Sequence, residues 1–116
     1  MLKSEDVKLL RIFIGESDKL GSIPFYEKIL IEARKQGLAG GTVIRGIMGY
    51  GANSKIHRAK FLEISSDLPL IIEIVDREEK ILKFVEIVKN WFEEANVGGL
   101  ITLEKAEVIL YQNKKL

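Results

Sequence analysis

The segment GIMGYGANSKIHR, Gly46 to Arg58, gathers three glycines, a tyrosine, a lysine, an arginine and the chain's single histidine into thirteen positions. Small residues expose backbone N–H groups that can line a concavity for an anion, and Arg45, Lys55, His57 and Arg58 can add charge-assisted hydrogen bonds. Gly46, Gly49 and Gly51 are read as places for positive φ or for close approach of a ligand to the backbone. Tyr50 can stack on a base or cover the core. A glycine-rich turn can also do no more than reverse the chain, so the residues by themselves leave both readings open. His57 has neither a second histidine nor a cysteine near it, so as a metal ligand it would need copies gathered by symmetry. As a general base it would need an orienting acid and a nucleophile, for which Ser54 is the only nearby hydroxyl. A phosphate contact or a loop anchor fits it better.

Composition removes several other chemistries. The 18 Lys and Arg residues against 17 Asp and Glu leave a formal charge of +1, with no basic excess for a phosphate backbone, so nucleic acid is not an expected partner. There is no cysteine, which rules out disulfides, thiolate catalysis and sulfur-ligated zinc. The 116 residues suit one domain, residues 1–116. No apolar run reaches the roughly 18 residues of a membrane span, and MLKSEDVK does not read as a signal peptide, so a soluble, cytoplasmic protein is expected.

The elements that would position the loop follow from pattern and punctuation. Val7 to Ile14 is dense in β-branched and aromatic residues and reads as a strand closed by Gly15. ESDKLGS reads as a loop. A helix then has Pro24 in its first turn and Gly37 at its end. Thr42 to Met48 reads as the second strand. Phe61 to Ser65 and Leu70 to Val75 read as a third, broken near Pro69. Asp76 is expected to cap the next helix in a box with Glu79, ahead of an apolar stripe from Ile81 to Phe92 that Gly98 and Gly99 break off. Leu100 to Leu103 and Ala106 to Tyr111 supply one or two closing strands. The order is β-α-β-β-α-β, an α+β ferredoxin-like fold. In LPLIIEIV the residues Leu70, Ile72 and Ile74 face one way and Ile71 and Val75 the other, so both faces are apolar while two helices can cover only one. A homo-oligomer is expected.

With TVIRGIMGYG entering a loop, DLPLIIEIVD leading to the second helix and NVGGLI turning into the last strand, the chain resembles the PII signalling superfamily from about Val7 to Tyr111. It is most similar to the small PII-like domains of unknown function, whose R-G-I-M-G-aromatic-G pattern and following H-R pair match Arg45 to Gly51 and His57-Arg58. The resemblance implies a homotrimer that binds adenine nucleotides in clefts between subunits. It places the ligand between Arg45, Gly46, Met48, Gly49, Tyr50 and Gly51, with His57 and Arg58, and the turn Val97, Gly98, Gly99 and Leu100. A Gly99→Val change is expected to block the ligand while the oligomer persists.

Three departures accompany that match. The loop after the second strand has only about ten residues, Tyr50 to Lys60, where PII proteins carry a longer partner-binding arm. Leu100 stands in the stretch where PII has a phosphate-directed lysine, and the C-terminal arginines of PII are missing from AEVILYQNKKL. Fewer cations favour a mono-, di- or cyclic phosphate over ATP. The expected role is regulatory rather than catalytic, with no catalytic residue and no metal assigned, and slow hydrolysis left open. A regulated protein, such as a membrane transporter, is the implied partner. The alternative is a divalent-cation-binding trimer of the cation-tolerance type, which shares the topology. An acylphosphatase would need an arginine-asparagine loop where GESDKLGS carries acid, and an RNA-recognition module would need more central-strand aromatics than Phe13.

Overall fold

In the computed structural model, which describes residues 6–51, the backbone of 57–58, and 67–114, two long strands set the frame. The elements run β1 (Val7–Gly15), β2 (Lys19–Leu20), β3 (Ile23–Pro24), α1 (Phe25–Lys35), β4 (Gly41–Arg45), β5 (Met48–Gly49), β6 (His57–Arg58), β7 (Pro69–Arg77), α2 (Glu78–Ala95) and β8 (Leu100–Lys105). Four form an antiparallel sheet in the order β4-β7-β1-β8, while β2 with β3 and β5 with β6 make separate short pairs. The four long strands and two helices reproduce the expected β-α-β-β-α-β order. The expected strand from Phe61 to Ser65 lies outside the described residues.

Alternation along β1 and β7 decides which face is core. Leu10, Ile12 and Ile14 are buried with Leu70, Ile72 and Ile74, and α1 adds Phe25, Ile29 and Ala33. The stripe on α2 supplies Ile81, Phe84 and Val88. Across the two helices, Phe25 and Phe92 meet edge to face with centroids 5.2 Å apart, and Lys28 Nζ sits 5.3 Å from the Trp91 ring centroid. Gly37, at φ +75°, ends α1 in the left-handed region, where an L side chain would be strained. Among the described residues, no helix lies on the opposite face of the sheet. There Ile44, Ile71, Phe13 and Leu100 are cross-strand neighbours in one apolar row, beside a row in which Arg11 pairs with both Glu73, at 2.9 Å, and Glu104. The Glu73 hydrogen bond, more than any other contact, holds the Arg11 pKa above its ordinary value.

The structure departs from the pattern reading at five places. ESDKLGS is no plain loop, because Lys19–Leu20 and Ile23–Pro24 pair, and Pro24 precedes α1 instead of lying in its first turn. The second strand stops at Arg45: the Gly46 N–H donates to the Pro69 carbonyl at 2.7 Å, but Pro69 has no N–H to return the bond. Pro69 therefore opens β7, and Met48–Gly49 pairs separately with His57–Arg58. The stop of α2 is Asn96, left-handed at φ 52°, and not the glycines after it. Past β8 the chain leaves the ladder, so Ala106 to Tyr111 is no strand. Its Tyr111 hydroxyl donates to the Ala39 carbonyl at 2.9 Å, over a cavity of about 640 Å³ that Leu9, Thr42, Glu73 and Val75 help to line.

The fifth departure is Asp76. β7 continues through Arg77, which takes the N-cap position of α2 with no side-chain cap bond. Asp76 lies on the buried side, 2 % exposed, and its Oδ2 accepts the Ala39 N–H at 2.8 Å while Oδ1 accepts that of Arg77 at 2.6 Å. Lys80 Nζ is 4.0 Å away and donates to the Gly37 carbonyl at 2.9 Å. The carboxylate thus joins the α1–β4 turn to the start of α2. Glu79 makes no capping box and lies 3.7 Å from the Arg77 guanidinium. Asp76→Ala is expected to cost about 1–3 kcal/mol by removing a buried carboxylate's bonds to the partly buried Ala39 and Arg77 N–H groups, whereas Glu79→Ala should stay within about 0.5 kcal/mol. Urea denaturation of both variants reads the difference, and a capping box would require the two costs to be similar.

Candidate functional site

The residues singled out in the sequence fall in two groups at one end of the sheet. The first is the base of the loop after β4. Arg45 pairs with Leu70, and beyond it Gly46 and Gly49 both lie against the Pro69 ring, where a Cβ would stand 3.0 Å and 3.1 Å from Cγ. Close approach to Pro69, not positive φ, explains these two glycines; the only glycines with positive φ among the described residues are Gly21 and Gly37. A Cβ at Gly51 would have no neighbour within 4 Å. Ile47, Met48 and Tyr50 project as exposed apolar side chains, so Tyr50 does not cover the core. The backbones of His57 and Arg58 face Gly49 and Met48 across the β5–β6 pair. The roles expected of their side chains, and of Lys55 and Ser54, lie outside the described residues.

The second group is the turn from α2 into β8. Val97 packs on the core, and its N–H donates to the Phe92 carbonyl at 3.2 Å. Leu100, half exposed, pairs with Phe13. The two glycines differ in kind. A Cβ at Gly98 would meet nothing within 4 Å, whereas at Gly99 it would fall 2.5 Å from Phe92 Cε2 and 2.6 Å from the Phe13 carbonyl oxygen. Gly99 is needed by the chain's own packing, so Gly99→Val perturbs the fold and does not isolate ligand contact. The space beside Gly98 is open. A groove of about 490 Å³ between α2 and β8, lined in part by Lys89, Asn90 and Glu93, reaches Gly99 but none of the loop residues.

Sheet order fixes how far apart the groups are. β4 and β8 are the two edges, separated by β7 and β1. With strands about 4.8 Å apart, three spacings put the loop base and the glycine turn about 14 Å from one another within a chain. They share an end of the sheet without sharing a pocket.

Residues that the sequence did not single out complete the loop-base corner. The Arg45 guanidinium is paired with Glu16, which directly follows β1. The Gly15 N–H donates to Asp18 at 2.8 Å and the Ser17 N–H to Asp67 at 2.9 Å. Only the acid of GESDKLGS was visible in advance; its pairing with Arg45 needed the β4-β7-β1 order. Among the described residues, no group of three or more His, Cys, Asp or Glu is placed to hold a metal ion, and no helix is long and apolar enough to cross a membrane.

Removing the two glycine hydrogens should therefore have unequal effects. Gly99→Ala is expected to destabilise by about 1–3 kcal/mol, the usual cost of overpacking. Gly98→Ala should change stability by no more than about 0.5 kcal/mol. Thermal and urea unfolding check this, and equal stability of the two variants would contradict the packing assigned to Gly99.

Comparison with known proteins places this geometry. A UPF0166 protein of Aquifex aeolicus is 45% identical over 102 residues, covering 88% of this chain and 92% of the relative. A UPF0166 protein of Methanocaldococcus jannaschii is 37% identical over 105 residues, covering 87% and 90%. Among solved structures, CPII of Thiomonas intermedia K12, a nitrogen regulatory PII-like protein bound to ADP, AMP and bicarbonate, matches with a TM-score of 0.67 at 19% identity, over 88% of this chain and 87% of its own. That likeness shows a shared PII-like, ferredoxin-like fold. The model of the DUF190 family, described as Uncharacterized ACR, COG1993, matches residues 7–108, and with the UPF0166 relatives it shows that this chain belongs to that family.

Proposed function

We propose that the protein is a PII-like regulator that binds an adenine nucleotide in clefts between the subunits of a homotrimer. The observation that carries this reading is the separation just described. The loop base and the glycine turn lie on opposite edges of one sheet, about 14 Å apart by strand spacing and without a shared pocket, so association of copies is the direct way to bring both around one compact ligand. The uncovered sheet face, with its row of Ile44, Ile71, Phe13 and Leu100, supplies the apolar surface for such an assembly. The fold likeness to a protein bound to ADP and AMP supports the ligand class.

The chemistry divides between the groups. The loop base offers Arg45, with Arg58 as the further cation, while Tyr50 is exposed and able to stack on adenine. From the neighbouring copy, the turn at Gly98 brings backbone close without a side chain in the way. Few fixed cations favour AMP, ADP or a cyclic nucleotide over ATP. Binding, not turnover, is the function, and its output is the shape of the exposed loop offered to a regulated protein inside the cell.

Calorimetric titration of AMP and ADP, with sedimentation to count subunits, tests this. Wild type should bind both as a trimer. Arg58→Ala should lose about 1.5–3 kcal/mol, roughly tenfold or more in affinity, by removing a hydrogen bond to a charged group. Gly98→Val should weaken binding while the melting temperature without ligand stays unchanged. A monomer, or a protein indifferent to both nucleotides, overturns the reading.

A further inference from the structure

The loop base carries its cation already occupied. The Glu16 N–H donates to the Leu68 carbonyl at 2.8 Å, which fixes the residue beside the start of β7. Its Oε2 accepts from Arg45 Nη2. The Glu16 side chain is 24% exposed and that of Arg45 62%, so the acid is the more sheltered, anchored member and the guanidinium reaches in from solvent. Asp18 and Asp67 are each fixed by a backbone N–H in the same turn. The ion pair closes β1 onto the edge strand β4 across the end of β7, immediately before Gly46 and Gly49.

We infer that Glu16 is a specificity-determining residue of the nucleotide site, holding Arg45 and setting a fixed negative charge beside the glycine base so that the site discriminates against ligands in proportion to their phosphate charge. The inference rests on the nucleotide reading above and assigns its selectivity to a named residue. A phosphate that recruits Arg45 must compete with a carboxylate that is already in place. The acid, the less exposed member of the pair, then faces the incoming anion with less of its countercharge, and the repulsion acts at short range and weakens as salt rises. The penalty grows with each phosphoryl group, because a triphosphate brings more negative charge to the same corner than a monophosphate. A shortage of cations lowers affinity for all phosphates, whereas a placed acid orders them.

The alternative is that the pair only fastens β1 to β4, and selectivity separates the two. AMP, ADP and ATP are titrated calorimetrically, without divalent cations and at fixed ionic strength, into wild type, Glu16→Gln and Arg45→Gln. Glu16→Gln keeps the backbone bond to Leu68 and is expected to raise ATP affinity about five- to tenfold, ADP affinity less and AMP affinity within about twofold. Arg45→Gln should move the ratio the other way, weakening ATP most. The ATP preference gained by Glu16→Gln should shrink in high salt. A Glu16→Gln protein that binds AMP but shows equal changes for all three nucleotides, or none, overturns the inference and leaves the nucleotide reading standing. Wild type that binds none of the three overturns both.

Discussion

Nine consecutive residues of β1 pair with nine of β7, from Val7 opposite Arg77 to Gly15 opposite Pro69, and most of the structure depends on that register. A slip of one residue would put Leu10, Ile12 and Ile14 on the opposite face from Leu70, Ile72 and Ile74, so that one set would lose the helices, and the hydrophobic term therefore fixes the alignment. The alignment in turn places Pro69 at the end of the sheet. There its carbonyl accepts the Gly46 N–H, its missing N–H ends the ladder, and its ring sets how near Gly46 and Gly49 lie. At the opposite end the same register sets Asp76 under the turn at Ala39, where one buried carboxylate binds two connections together. The loop base and the scaffold turn are two ends of one strand pairing.

One-sided cover is the second consequence. With α1 and α2 on one face, the other displays an apolar row bounded by an Arg11–Glu73–Glu104 cluster. A hydrophobic strip beside a paired charge group suits contact with another protein surface, since the strip favours burial and the charges penalise misalignment. The C-terminal segment shelters only part of this face, tied by Tyr111 to Ala39, and leaves Ile109 and Leu110 exposed.

What could be read from the sequence was whatever rests on local periodicity. The alternation in VKLLRIFI and LPLIIEIV, the stripe from Ile81 to Phe92 and the glycine that ends α1 depend on neighbours within a turn or a strand, so the topology was visible. What escaped depends on partners distant in sequence. Asp76 has every local mark of a cap, but its partner is an N–H 37 residues earlier. Thr42 to Met48 has strand composition, but Pro69 ends it from the neighbouring strand. Gly99 reads as a ligand turn, while its nearest constraint is the Phe92 ring. Glu16 and Arg45 are 29 residues apart, and nothing in either segment announces the other. The family resemblance supplied the pairing of the loop with the glycine turn, which periodicity alone gives no reason to connect.

A binding site divided between sheet edges has a thermodynamic consequence that a site within one chain lacks. Under the proposed reading, separate chains hold only half of the contacts each, so ligand affinity and subunit affinity become a single linked quantity. A ligand that binds the assembly and not the separated chains stabilises it by about 2.7 kcal/mol when present at a hundred times its dissociation constant. Reciprocity then makes anything that tightens the subunits tighten the nucleotide as well. In that reading the loop from Gly46 onward is where the two equilibria would meet, because its base packs on Pro69 in one chain while Ile47, Met48 and Tyr50 belong to no core. Little packing energy holds those exposed side chains, so under the proposed reading modest differences in ligand charge would be enough to choose among their conformations. Under that reading, a loop base fixed on Pro69, with Ile47, Met48 and Tyr50 exposed, is suited to report ligand identity.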